Sequence, residues 1–270
     1  MKQLKPTAFV VGFLTLIIWA ASASTAHAQE PASRVVDVGY IGGNLTRTIE
    51  FPIAPGPNLG HGNTYVVNGI DIKATVNVTE AATIIGRYQR KALSNAQNFT
   101  DVQIGDIRGR HSEPDTTANG QQMDYVEVAG SLKLPKTHGH SLLIGIARTT
   151  TERHWRYEDV FGGVYGGEDR DKYLGLVFGI VGTQKLRTLT FDYGVRSYYH
   201  LMLQENDATN KLPASGYELG GSVTWTIQKH LGVKGGYEFR RLHTEVGTQP
   251  YNSTENVDDH GPVIGIRLSF

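Results

Sequence analysis

Along most of this chain apolar residues recur at every second position, and that period suits a sheet with one apolar face per strand rather than a helix. In "NGIDIKATVNV", Ile70, Ile72, Ala74, Val76 and Val78 share one face, while Asp71, Lys73, Thr75 and Asn77 share the other. "DYVEVAGSLKL" sets Val126, Val128, Leu132 and Leu134 against Glu127, Ser131 and Lys133. "RTLTFDYGVRSYYHL" opposes Leu189, Phe191, Tyr193, Val195, Tyr199 and Leu201 to Thr190, Asp192, Arg196 and His200. In "GYELGGSVTWTIQ", Tyr217, Leu219, Val223, Trp225 and Ile227 oppose Glu218, Ser222, Thr224 and Thr226. The stretch 231–244 sets Val233, Tyr237 and Phe239 against Lys234, Glu238 and Arg240, and "PVIGIRLSF" ends the series. Less regular strands are expected at 34–49, 82–92, 140–151 and 171–182, which makes about ten, each able to supply the roughly 9–11 tilted residues that cross a bilayer.

The links between these strands alternate in length. Short ones fall at 79–81, 135–139, 182–185 and 228–230, and long ones at 50–64, 93–121, 152–170, 202–214 and 245–257. A membrane barrel has short periplasmic turns and long extracellular loops, and an even strand count puts both termini in the periplasm. The expected fold is all-β: a transmembrane antiparallel up-and-down barrel of about ten strands, within a range of about 8 to 12. "DVQIGDIRG" in the longest link has the pattern of a short hairpin extension, which would raise the count to twelve. A soluble sandwich or lipocalin-like barrel would instead turn the apolar faces inward and the charged faces to water. Against it, aromatic residues stand near the ends of the apolar faces, where membrane interfaces place them. The polar faces are also rich in glycine, serine and threonine, which suit a crowded narrow interior.

The first residues, "MKQLKPTAFVVGFLTLIIWAASASTAHAQE", have a basic start, an apolar stretch and small residues before Gln29, the layout of a cleaved secretory signal. We expect a signal at 1–28 and a single barrel domain at 29–270, with no periplasmic globular domain. The chain has no cysteine, so disulfides, thiolate metal sites and lipid-modified cysteine are excluded. Without Lys2 and Lys5 the mature chain carries 24 basic against 26 acidic residues, which gives a nucleic-acid partner no support.

The signal, the alternating strands, the loop rhythm and above all the last strand resemble the bacterial outer-membrane β-barrel superfamily, including its small OmpA- or Opa-like members. In that superfamily a terminal phenylalanine preceded by alternating apolar residues is the signal read by the barrel assembly machinery. The resemblance implies that role for Ile264, Ile266, Leu268 and Phe270, although Pro262 stands where an aromatic residue is more usual. It also implies an integral outer-membrane location in a Gram-negative cell, contact with outer-membrane lipid and lipopolysaccharide, and no fixed activity.

Function must then come from the lumen or the loops. The expected lumen face carries Lys73, Arg87, Lys133, Arg196, Lys234, Arg240 and Arg267 against Asp71, Glu127, Asp192, Glu218 and Glu238. Mixed signs in a narrow barrel favour a network of buried ion pairs that closes the lumen over a selectivity filter, which tends to collect one sign. Trp155, Tyr157, Phe161 and Tyr165, in a glycine-rich link, are surface-loop candidates for an extracellular ligand. The leading expectation is a structural or surface-recognition barrel, with a narrow solute channel as the alternative. A rim hydrolase comes third, and no catalytic residue, cofactor or metal is expected. Omptin proteases place an Asp pair opposite an Asp-His pair at the outer rim. Asp258, Asp259 and His260, with His243 and Glu245 nearby, fall in that zone without omptin spacing. His200 lacks the motif of an outer-membrane lipid hydrolase, and His138 and His140 lack further metal ligands.

Overall fold

The computed structural model describes residues 34–270 except 52–58, 96–99, 105–106, 113–120, 138, 160–162, 203–209 and 249–250. Twelve strands run in order: β1 (Arg34–Phe51), β2 (Leu59–Asn77), β3 (Ala82–Asn95), β4 (Thr100–Ile104), β5 (Ile107–Ser112), β6 (Gln122–Lys133), β7 (His140–Asp159), β8 (Val164–Leu186), β9 (Leu189–Met202), β10 (Asn210–Gln228), β11 (Leu231–Thr248) and β12 (Tyr251–Ser269). Ten of them form the ring β1-β2-β3-β6-β7-β8-β9-β10-β11-β12, closed by antiparallel pairing of β12 with β1. The other two, β4 and β5, are the hairpin within the longest link. Its second strand pairs with the outer end of β7, where Arg156–Asp159 extend past β6.

The alternation seen in the sequence now has a direction. Arg87, Glu127, Glu218 and Arg240 are each at most 4 % exposed, whereas Ile264 is 61 %, Trp225 57 % and Ile146 55 % exposed. Charged faces line the interior and apolar faces look out, the reverse of a soluble sandwich. A wall of exposed Ile, Leu and Val around a buried charged interior is stable only when the surrounding medium is apolar.

Several expectations about the connections need correction: strands run through most of the long links placed at 50–64 and 245–257, with β2 starting at Leu59, β11 reaching Thr248 and β12 starting at Tyr251. The turn between β8 and β9 lies at Arg187 and Thr188, not at 182–185: Leu186 pairs with Leu189, and Arg187 adopts φ 54°. Strand pairing simply continues through "GTQK", because both faces near a membrane surface tolerate polar residues. The stretches 152–159 and 164–170 likewise continue β7 and β8, with Trp155 opposite Gly167 and Tyr157 opposite Tyr165. Several strands run to 18–23 residues, about twice a bilayer crossing, with the surplus on the side away from the termini.

The seam between first and last strands is built on glycine. Gly39 pairs with Gly265, and a Cβ at Gly261 would meet the Gly42 carbonyl oxygen at 1.7 Å. Gly43, at φ 139°, stands 2.1 Å in Cβ terms from the His260 carbonyl oxygen, so a side chain there is excluded both by backbone and by space.

Candidate functional site

The charged interior is a set of stacked layers. In the middle layer Arg87 projects inward from β3 and crosses the lumen. Its Nε donates to Asp71 on the neighbouring β2 at 2.9 Å, its Nη1 to Glu218 on β10 at 2.9 Å, and its Nη2 to Glu238 on β11. Glu218 is the convergence point. Arg196 and Arg240 stand directly opposite it on β9 and β11, and both donate to it, Arg240 at 2.6 and 3.1 Å. The Tyr198 hydroxyl adds a fourth donor at 2.8 Å. Three guanidinium groups thus meet on one carboxylate, which only a site screened from water and rich in further carboxylates can stabilise. Glu127 and Glu238 supply that charge: Tyr125 donates its hydroxyl to Glu127, and Gln89 donates its amide to Glu238 at 3.1 Å. Aromatic rings seal the layer, with Tyr125 and Tyr198 edge to face at 6.1 Å and the Arg240 guanidinium 4.1 Å from the Tyr125 ring centre.

Toward the chain termini a second layer joins Asp37 to Lys234 at 3.0 Å and to Arg267 at 2.6 and 2.8 Å, and Arg267 also reaches Asp192 at 2.7 Å. Lys73 makes no ion pair with a described residue and lies in the combined field of Lys234, Arg196, Asp192 and Asp37. Toward the outside Lys91 bonds Asp259 across the lumen, and Arg47 bonds Glu255 at 2.7 Å. Beside these, Leu45, Tyr65, Val67, Leu93 and Met123 form an apolar collar around the inner wall.

Of the twelve charged residues assigned to the lumen, all but Lys73 and Lys133 enter ion pairs. Lys133 does not belong to the network: it lies at the end of β6 nearest the chain termini, where the inward face already meets solvent, and is exposed. Sequence reasoning missed Asp37, Gln89, Lys91, Tyr125, Tyr198 and Asp259. Parity would have found most of them, because Gln89 and Lys91 follow Arg87 at steps of two, and Tyr125 and Tyr198 precede or follow Glu127 and Arg196 likewise.

The other candidate residues are dispersed. Strand alternation sends Asp258 outward to Arg241 at 2.5 Å, Asp259 inward to Lys91, and His260 outward against Tyr237, whose hydroxyl is 2.8 Å from the ring nitrogen. These three therefore share no site. His200 points into the lumen at 1 % exposure, away from the lipid-facing rim. His140 meets the Tyr193 hydroxyl at 2.9 Å, and His138 lies outside the described residues. No cluster of three metal-ligating side chains occurs among the described residues. Phe161 lies outside the described residues, as do the side chains of Trp155, Tyr157 and Tyr165. At the other end Ile264, Ile266 and Phe270 are exposed on the outer face, and the Phe270 backbone exchanges hydrogen bonds with Arg34 at 2.9 and 3.3 Å.

No protein-family model and no curated protein matches the chain. Solved structures do. The outer-membrane protease OmpT from Escherichia coli aligns at 10 % identity over 92 % of this chain and 100 % of that one, with a TM-score of 0.50. The translocator domain of the autotransporter NalP from Neisseria meningitidis aligns at 12 % identity over 98 % of this chain and 97 % of that one, with a TM-score of 0.45. OprG from Pseudomonas aeruginosa aligns at 8 % identity over 88 % and 96 %, with a TM-score of 0.39. At such identities the likeness to OmpT concerns architecture alone. Together with the inverted burial and the closed ring, it defines the class: the chain has the fold of the bacterial outer-membrane β-barrels. Within that class it is a ten-stranded barrel with a hairpin appended to its outer wall.

Proposed function

We propose that the protein is a structural outer-membrane barrel whose lumen is closed to solutes and whose long outer hairpins act in recognition at the cell surface. The observation that carries this reading is the middle layer, where Arg87 spans the lumen and three guanidiniums converge on Glu218, all of them at most 8 % exposed. A conducting path would need water to reach these groups, and unpairing any of them costs several kcal/mol. The alternative of a narrow channel would favour one sign of charge along the lumen; here every layer holds both signs. The dispersal of Asp258, Asp259 and His260 argues in the same direction against a rim hydrolase. During biogenesis, Ile264, Ile266, Leu268 and Phe270 serve as the segment read by the assembly machinery, and the 1–28 segment serves for export.

Conductance of the refolded protein in planar bilayers tests the closed lumen. Wild type is expected to be silent, and Arg87→Ala to produce brief openings. Steady, ion-selective steps from wild type would refute closure and leave the channel as the better reading.

A further inference from the structure

Four turns close the barrel at the end that holds both chain termini, at 78–81, 134–139, 187–188 and 229–230. Their charges are lopsided. Lys133 and Lys136 stand at the second turn, Lys185 and Arg187 at the third and Lys229 at the fourth, all exposed. Within two residues of the four turns the one side-chain acid is Glu80, at the first. None of the five cations enters an ion pair with a described residue. Acids outnumber bases across 29–270, so the surplus is local to this rim.

Two of the cations sit where the backbone disfavours them. Lys136 has φ 62° and Arg187 φ 54°, and among the described residues other than glycine no other φ is positive. Such left-handed positions favour glycine, because a side chain there crowds the backbone. A lysine and an arginine are held at both, at a cost in local stability. Parity gives the direction of two more. Lys133 and Lys185 continue the inward faces of β6 and β8, one step past Ser131 and Thr183, whereas Leu132 and Leu186 turn outward and are 58 % and 62 % exposed. These two cations therefore face the barrel mouth rather than the lipid.

We propose that this rim docks on peptidoglycan, through the carboxylates of its stem peptides. The three cationic turns follow one another around the ring, and with neighbouring strands about 4.8 Å apart they are spaced by roughly 10 Å. They hold no aromatic residue and a single arginine, whereas tight protein interfaces anchor on Trp, Tyr and Arg. Separate point charges on successive turns suit an extended polyanion that meets several of them at once and is held by their sum. The docking rests on the orientation adopted under the proposed function, with the long hairpins outside and these turns in the periplasm, and not on the closed lumen.

The test sediments purified peptidoglycan sacculi with the full barrel in detergent micelles. Wild type is expected to bind saturably and to be released as salt rises, since exposed charges are screened. Lys136→Gln, Lys185→Gln, Arg187→Gln and Lys229→Gln together should weaken binding by about tenfold or more, and Glu80→Gln should not weaken it. Sacculi with amidated carboxylates should bind wild type at least about tenfold more weakly. Lys136→Gly with Arg187→Gly separates charge from fold: this variant should unfold no more easily than wild type, because glycine relieves both turns, yet bind several-fold more weakly. Undiminished binding by either folded variant, or to amidated sacculi, would overturn the proposal. Binding of short-chain phosphatidylglycerol or of polyaspartate as tight as that of sacculi would assign the rim to inner-leaflet lipid or to an acidic protein, and either result also rejects it. Cleavage of a protease site inserted after Lys136 by protease added to intact cells would instead strike at the orientation, so the two failures are distinguishable.

Discussion

Replacing Glu218 with glutamine removes one charge and almost no volume, which makes it a direct probe of whether the lumen is dry. The carboxylate is 2 % exposed and accepts from Arg87, Arg196, Arg240 and Tyr198. Glutamine keeps one acceptor oxygen but turns an amide N–H2 group toward guanidinium donors, so Arg87, Arg196 and Arg240 lose the carboxylate on which they converge. Leaving part of a buried ionic network uncompensated costs about 3–5 kcal/mol. In reversible urea unfolding from lipid vesicles, with a slope of about 3 kcal/mol per molar, the midpoint should fall by about 1 M or more at unchanged slope. Adding Arg240→Gln to the variant removes the guanidinium whose two ionic bonds both went to Glu218 and should restore part of the loss, because the two sites are in direct contact. A loss below about 1 kcal/mol for Glu218→Gln alone would mean that water reaches the network, and the argument for a plug would fail with it.

Three further outcomes follow from the same geometry. Lys91→Met alone should cost about 3–5 kcal/mol, whereas Lys91→Met with Asp259→Leu should lie near wild type, since removing both members of a buried pair removes the desolvation cost too; equal losses in single and double variants, read by the same unfolding assay, would count against a buried pair. Gly261→Val places a side chain onto the Gly42 carbonyl and should block closure of the β1–β12 seam, seen as loss of the compact form in gel electrophoresis of unheated samples, while Gly235→Ala, where nothing lies within 4 Å, should fold normally. Phe270→Ser should reduce the amount of folded barrel in the outer membrane of expressing cells without altering refolding in vitro; normal membrane levels would deny the terminal residue its role in assembly.

The barrel was legible because a membrane imposes one simple rule, apolar outside, and each crossing strand obeys it with period two. The same rule explains what stayed hidden. Beyond the membrane both faces of a strand meet water, so alternation disappears although hydrogen bonding does not. "ERHWRYED" therefore reads as a loop, yet it pairs residue by residue with β8. Inside the lumen, parity identifies which side chains point inward but not which meet across it. Arg196, Glu218 and Arg240 are register neighbours and could be inferred from a correct alignment of strands, while Arg87 reaches Glu218 only because the ring closes with a narrow diameter. The apparent rim cluster Asp258, Asp259 and His260 fails for the opposite reason: period two sends Asp259 inward and leaves Asp258 and His260 on the outer face, each engaged by a different neighbour.

The layered interior has a consequence in time as well as in space. Its bonds join residues far apart along the chain: Arg87 and Glu238 are separated by 151 positions, Lys91 and Asp259 by 168, Lys234 and Asp37 by 197. None of these can exist in an open, partly built sheet; they form only when the last strand has met the first. Contacts absent from the transition state leave the folding rate unchanged and slow the reverse step. The network therefore behaves as a latch that is set once, after closure, and it lengthens the lifetime of the closed barrel.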